Sequence, residues 1–470
     1  NRLTLDAPLL QAEASGTVTE LGSEPAVDLR VVSEDVDLAR IAALQGGASD
    51  AGAEPSGAVR FDLRIAGPVA ALDSLTIEGP VTLSEVRYPV AAFREPVSIP
   101  SAELRFAGQQ LVAEAIPIRL GENALGLDLE VQDLLAPLAA EAEGGALPTA
   151  QFELTSERLD LRNLYAETDE PGYSDLVVAQ LAGRQVEGRD PGAIAAEQYG
   201  ALGLPPAEVH GRVAIGALIN ETQRFDDLSF QVELTPQQLA VRDVAAGLYD
   251  GALSGNLAVD LQQEPPFPMA YTFSFEDVAA EAFARQWTAL GAFLAGTLDL
   301  SLEGGSAVGE GLLPAPPTLQ AEGLAVATSG RFRDFALLDA ILEQLPIDAE
   351  ALAAFERFGG AFEIREGRLL VPGWELQTGA LSGELEGAFG MDGAVALNLT
   401  LSMPLELLRE SGLVEEIGGA PARLLGRLAD ENETVRVPIA IDGTMSDPRV
   451  QVDREALAAA LRRMIGGIGE

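Results

Sequence analysis

The side chains that most often carry chemistry are either scarce in this sequence or too common to point anywhere. Histidine occurs once, as His210, and cysteine does not occur. A Ser-His-Asp hydrolase would have to use His210, which sits in Glu208-Val209-His210-Gly211-Arg212. No Gly-x-Ser-x-Gly elbow accompanies it, and its place at the start of an alternating segment marks it as a structural histidine. Without Cys and with one His, disulfides and His- or Cys-rich zinc and haem sites are excluded. The 73 Asp and Glu residues could pair for acid–base work almost anywhere, so no pair is singled out. The acidic stretch 169–175 lacks the ligand spacing of a calcium loop. The Gly-rich stretches lack the strand–loop–helix setting and the Walker residues of a phosphate cradle. The sequence therefore points to a protein that is not an enzyme, with no catalytic residue, cofactor or metal site expected.

What remains is a pattern, and it must be positioned by strands. In residues 58–67, Val59, Phe61, Leu63 and Ile65 alternate with Arg60, Asp62 and Arg64. A period of two describes a strand with one apolar and one polar face. The same alternation runs through Leu228, Phe230, Val232 and Leu234, through Leu253, Leu257, Val259 and Leu261, and through Val395, Leu397, Leu399 and Leu401. Segments 75–83, 104–111, 125–131 and 152–161 read alike. Turns such as Gly121-Glu122-Asn123 and Asp250-Gly251 separate them, so the sheet should be largely antiparallel. The expected fold is mainly β: a long, curved antiparallel sheet forming a repeating groove, with a few short amphipathic helices. About 25 strands at roughly 4.8 Å each would give a groove on the order of 120 Å long. Its apolar lining is expected at Val59, Phe61, Leu63, Ile65, Phe230, Val232, Leu234, Leu257, Val259 and Leu261. The ordinary alternative for these positions is a buried sheet face. Trp287 and Trp374 read as packing residues.

The charge constrains the partners. All 30 basic residues are Arg, and the formal net charge is −43. Such a chain has no electrostatic grip on nucleic acid or on an anionic membrane surface. At 47% apolar residues it is too hydrophobic for wholesale disorder. Many acids and no lysine fit a surface adapted to high salt, where self-repulsion is screened. No apolar run reaches 18 residues, so no transmembrane helix is expected in these residues. The chain opens on Asn1, without a signal peptide.

Internal similarity adds an organisation. Residues 32–41 (Val-Ser-Glu-Asp-Val-Asp-Leu-Ala-Arg-Ile) resemble residues 155–164 (Thr-Ser-Glu-Arg-Leu-Asp-Leu-Arg-Asn-Leu), and Gly-Ala-Leu-Ser-Gly occurs at 251–255 and 379–383. These spacings point to about four units of roughly 120–130 residues each. Helices are expected at 279–294, at 335–358 as two pieces broken by Pro346, at 405–428 and at 454–465. Loops are expected at 46–55, 136–148, 167–192 and 304–317, the third as a disordered insertion.

The C-terminal segment Val437-Pro438-Ile439-Ala440-Ile441-Asp442-Gly443-Thr444-Met445-Ser446-Asp447-Pro448-Arg449-Val450 resembles the strand, Gly-Thr, Asp-Pro, strand signature that closes AsmA-like proteins. Residues 360–369 and the Ser-Glu-x-Leu-Asp-Leu strand ends are similar to that family too. The resemblance covers most of 331–453 and divides the chain into a repeating β-groove region, 1–330, and an AsmA-like C-terminal region, 331–470. It implies a periplasmic envelope protein tethered to the inner membrane by an N-terminal helix outside this chain. It also implies phospholipid as the partner, carried without chemistry between inner and outer membranes along the groove. An alternative is an envelope structural or assembly protein that acts on outer-membrane proteins by pairing strands.

Overall fold

A computed structural model describes residues 2–7, 12–19, 25–39, 55–90, 93–136, 147–162, 164, 207–220, 223–263, 266–287, 293–308, 318–333, 335–345, 349–379, 381–390, 393–404, 407, 434–445 and 447–459. The chain is mainly β, a long and open antiparallel sheet with a few short helices, as the alternation and the hairpin signals predict. Its residues gather into two compact units.

The first unit takes in β1 to β13, apart from the last residue of β13, and most of β14. Its strands are β1 (Arg2–Ala7), β2 (Ala12–Thr19), β3 (Ala26–Asp37), β4 (Ser56–Pro68), β5 (Thr76–Tyr88), β6 (Val97–Gly108), β7 (Gln110–Leu120), β8 (Asn123–Gln132), β9 (Thr149–Ser156), β10 (Leu159–Asp160), β11 (Glu208–Ile219), β12 (Arg224–Leu234), β13 (Gln238–Leu248) and β14 (Gly251–Asp260). Strands β1 to β9 pair antiparallel in chain order. Then β9 pairs with β11 in parallel, and the two-residue β10 lies parallel to the far end of β11. Antiparallel order resumes at β12. Side-chain bonds from Gln231 to Asp243 and from the Asp243 N–H to Asn256 step on from β12 to β13 to β14.

The strands of this unit bend at bulges. Against a partner that advances two residues, β3 advances three from Ser33 to Val36, β5 three from Ser84 to Arg87, and β7 three from Ala113 to Ile116. The extra residue is marked each time by a left-handed conformation, at Asp35 (φ 45°), Glu85 (φ 52°) and Ala115 (φ 52°). A bulge of this kind kinks its strand and increases the local twist. It also takes an N–H out of the ladder, and a buried donor without a partner is costly. A neighbouring side chain catches that N–H at several left-handed residues. Ala115 N–H donates to Asp128 Oδ1 at 2.6 Å and Asp243 N–H to Asn256 Oδ1 at 3.0 Å.

The second unit holds β15 (Phe267–Ala279), α1 (Ala280–Trp287), β16 (Leu294–Val308), β17 (Gln320–Phe332), α2 (Ala336–Gln344), α3 (Ala349–Ala353), β18 (Ala354–Arg365), β19 (Arg368–Gln377), β20 (Ser382–Gly390), β21 (Ala394–Pro404), β22 (Thr434–Thr444) and β23 (Pro448–Val452). Strands β16 to β23 form an unbroken antiparallel meander. Ser329 (φ 50°) marks the same kind of bulge in β17, and Asp277 N–H donates to Asp299 Oδ1 at 2.9 Å. Helix residues 454–459 follow β23 and start on Asp453, whose carboxylate accepts the Ala456 N–H at 2.8 Å, as an N-cap should.

This unit has a true core. The inward residues of β18 to β22 pack with Leu337, Ile341 and Leu345 from the α2 region, with Leu352 of α3 and with Leu457. Leu345, Leu401, Met403, Val437 and Leu457 are wholly buried. Here the helices supply the second layer that an apolar sheet face requires.

Three expectations need correction. The helix proposed across 335–358 ends earlier, because residues 354–358 already belong to β18, where Phe355 is buried in the core and Phe358 packs against it. The loop expected at 304–317 begins later: Gly304 and Gly305 continue β16, paired with Ala321 and Gln320. The segment 152–161 is two strands, since Ser156 bonds back to the Ala124 and Arg158 carbonyls and ends β9. The insertion at 167–192 and all of the helix at 405–428 except Leu407 lie outside the described residues.

Candidate functional site

Seven of the expected lining positions, those on β4 and β12, fall on one face of the first unit's sheet. Phe61 stands opposite Val81, Val81 opposite Leu104, and Leu104 opposite Ala113. The row continues through Leu129, Phe152 and Gly211 to Val232. A second row runs Ile116, Leu127, Leu154, Val213, Phe230. Val59 lines up with Val36 and Leu83, Leu63 with Val31, and Ile65 with Leu29 and Ile77. Leu234 closes β12 opposite Val209. From β4 to β12 the first row crosses eight strands, about 34 Å at normal strand spacing. Leu257 and Val259 are on β14, and Leu261 lies just past its end, with its N–H on the Gln237 carbonyl at 2.8 Å.

Burial separates these positions. Val59, Leu234 and Val259 are buried, whereas Phe61, Leu63, Ile65, Phe230, Val232, Leu257 and Leu261 keep part of their surface in solvent. Among the described residues, the buried cluster beneath this face consists of Ala102, Ala113 and Ile116, fringed by half-buried Leu83, Leu104, Leu127 and Leu129. The described part of this unit has no α-helix to lay over the face comparable to α2 over β18–β22. Gly211 makes room in the row for a neighbouring ring. The ring of Phe152 lies over it, 2.1 Å from where a Cβ would stand.

The opposite face is charged and internally matched. Arg30 and Arg64 stand directly opposite each other on β3 and β4. Each is neutralised by the acid diagonal to it. Arg30 grips Asp62 with two bonds, the Nε–Oδ1 at 2.7 Å, and Arg64 grips Asp28 with two at 2.9 Å. Arg60 reaches Asp35 at 3.0 Å. The guanidinium partners hold the Asp28 and Asp62 carboxyls below the usual range. These pairs are exposed, so their contribution to stability is small. Their signal was present in the sequence: Asp-Leu-Arg occurs at 28–30 and again at 62–64, and antiparallel pairing sets each Asp diagonal to the other Arg. His210 is exposed on β11, between Gln151 and Glu233 in the ladder.

In the second unit, Trp374 is a packing residue as expected. It is buried and donates its indole N–H to the Ala361 carbonyl at 2.9 Å. Among the described residues, no group of three or more His, Asp or Glu side chains is placed to hold a metal ion. No helix there is long and apolar enough to cross a membrane. Comparison with protein-family models, with curated proteins and with solved structures finds no match to this chain.

Proposed function

We propose that this protein binds phospholipid without chemistry, with acyl chains lying along the apolar face of the first unit, and that it serves to carry lipid between the two membranes of a cell envelope. The observation that supports the reading is the continuous row from Phe61 to Val232, apolar across eight strands and half open to solvent. Contiguous apolar patches beyond a few hundred Å2 are rarely left bare on a soluble protein. A row of this length suits a long, flexible hydrocarbon better than a compact ligand. A lipid held this way keeps its acyl chains against the row and its headgroup in the water at the row's open side. The likeness of the closing segment to AsmA-like proteins supports the same reading, including a periplasmic site of action and an inner-membrane tether.

Native mass spectrometry of gently purified protein is the direct test, with bound phospholipid expected. A photocrosslinker at Phe230 sharpens it. Lipid adducts uphold the reading. Adducts to other proteins, together with a clean apo mass, would overturn it in favour of a factor that pairs with client strands.

A further inference from the structure

The second unit contains an apolar cavity, open on one side, that is separate from the lipid face of the first. It lies between helix α2 and the covered face of β17–β22 and has a volume of about 80 Å3. Its wall is wholly apolar. Phe335 stacks on Phe293 and on Phe332, with centroids at 5.3 and 5.6 Å. Phe358 meets Phe332 and Trp374 edge-on, at 5.2 and 5.3 Å. Aromatic residues are only 5% of the chain, so this gathering is a strong local departure from its composition. Leu352 and Ile341 close the helix side. The one polar atom among the aromatic rings, the Trp374 indole N–H, is already bonded to the Ala361 carbonyl. A water there would find none of the two to four partners it needs, and cavities of this kind stay dry and accept apolar guests. Phe335 and Leu338 are half-buried, so the cavity is reached from solvent on the α2 side.

We infer that this cavity is a binding site for the end of a single unbranched alkyl chain. The walls offer no donor, acceptor or charge to a headgroup, which excludes polar and charged ligands. The small volume excludes a sterol or a second chain. Aromatic walls at van der Waals spacing suit methylene and methyl groups. The inference does not depend on lipid binding by the first unit.

The test uses the full-length Trp287→Phe protein, in which Trp374 is the sole tryptophan. Titration with n-alkanols of four to twelve carbons is followed by Trp374 fluorescence. A saturable response is expected, with affinity rising about fourfold per added methylene until the cavity is full and flat thereafter. Leu352→Phe and Leu338→Phe, which fill the space, should abolish the response while circular dichroism stays unchanged. Repeating the titration with short-chain phosphatidylcholine separates a free alkyl ligand from a lipid tail. No saturable response, or a response without dependence on chain length, overturns the inference. So does a response that survives in folded filled variants. If the filled variants fail to fold, the chain-length series alone decides.

Discussion

Asn123 stands in for a strand partner of Asp160. Its side-chain N–H donates to the Asp160 carbonyl at 3.0 Å, and its side-chain oxygen accepts the Asp160 N–H at 2.7 Å. The amide sits at the tip of the β7–β8 hairpin and is buried, so one side chain ties the hairpin to β10. Removing it orphans both backbone groups. Asn123→Ala should cost about 1–3 kcal/mol, read as a lowered urea midpoint with an unchanged slope.

The same Asp160 gives the protein an acid-sensitive point. Arg162 first and Arg158 second hold its carboxylate by hydrogen bonds and push its pKa far below the usual 3.8. A carboxyl depressed in the folded state stabilises fully above its unfolded value and loses that contribution as pH falls through the folded one. The Asp28 and Asp62 carboxyls are depressed for the same reason. Thermal stability should therefore decline on going from pH 5 toward pH 2, and Asp160→Asn should flatten that decline by lowering melting above pH 5, where the carboxylate contributes, with the two proteins converging toward pH 2.

The bulges predict an inversion of the usual alanine-to-glycine penalty. Ala115 is held at φ 52°, where a Cβ costs roughly 1–2 kcal/mol, against about 0.5–1 kcal/mol for the greater freedom of unfolded glycine. Ala115→Gly should leave stability unchanged or raise it by up to about 1 kcal/mol. Asp128→Ala, which releases the Ala115 N–H, should lower it by about 1 kcal/mol. Chemical denaturation of the two variants side by side checks the pair.

Glycines of the first unit should divide sharply. At Gly79 (φ 127°) a Cβ would lie 2.0 Å from the Asp62 carbonyl oxygen, whereas at Gly108 (φ 73°) nothing lies within 4 Å. Gly79→Ala should cost on the order of 3 kcal/mol and Gly108→Ala about 1 kcal/mol. Equal melting shifts would show that the close approach at Gly79 carries no weight.

Introduced charge should distinguish the two sheet faces. Val232→Asp, on the half-open row, should leave the protein folded and remove lipid from its native mass spectrum. Leu401→Asp, wholly buried in the second unit, should unfold that unit, since an unpaired charge cannot be accommodated there. If Val232→Asp unfolds the protein as readily, the row is an ordinary core.

The alternation of Val59 to Ile65 was enough to read strand, face and antiparallel neighbour, because burial on one side fixes a period of two. It was not enough to read which faces are covered. Phe230 and Leu399 sit in indistinguishable patterns, yet one is half open and the other packs into a helix-covered core. That difference is made by α2 and α3, far from either strand in sequence. The turn before Gly251 was legible, but its central residues are Tyr249 (φ 52°) and Asp250 (φ 65°), one place earlier than the Asp-Gly pair indicates. The parallel step from β9 to β11 and the left-handed residues at Asp35, Glu85 and Ala115 left no readable mark, since acids and alanine occur everywhere in this chain.

The bulges have a consequence for how such a sheet can change over time. The kinks at Asp35, Glu85 and Ala115 are written in backbone conformation and held by the ladder, whereas the row from Phe61 to Val232 is written in side chains. Path and lining are thus independent variables. One can be revised residue by residue without redrawing the other.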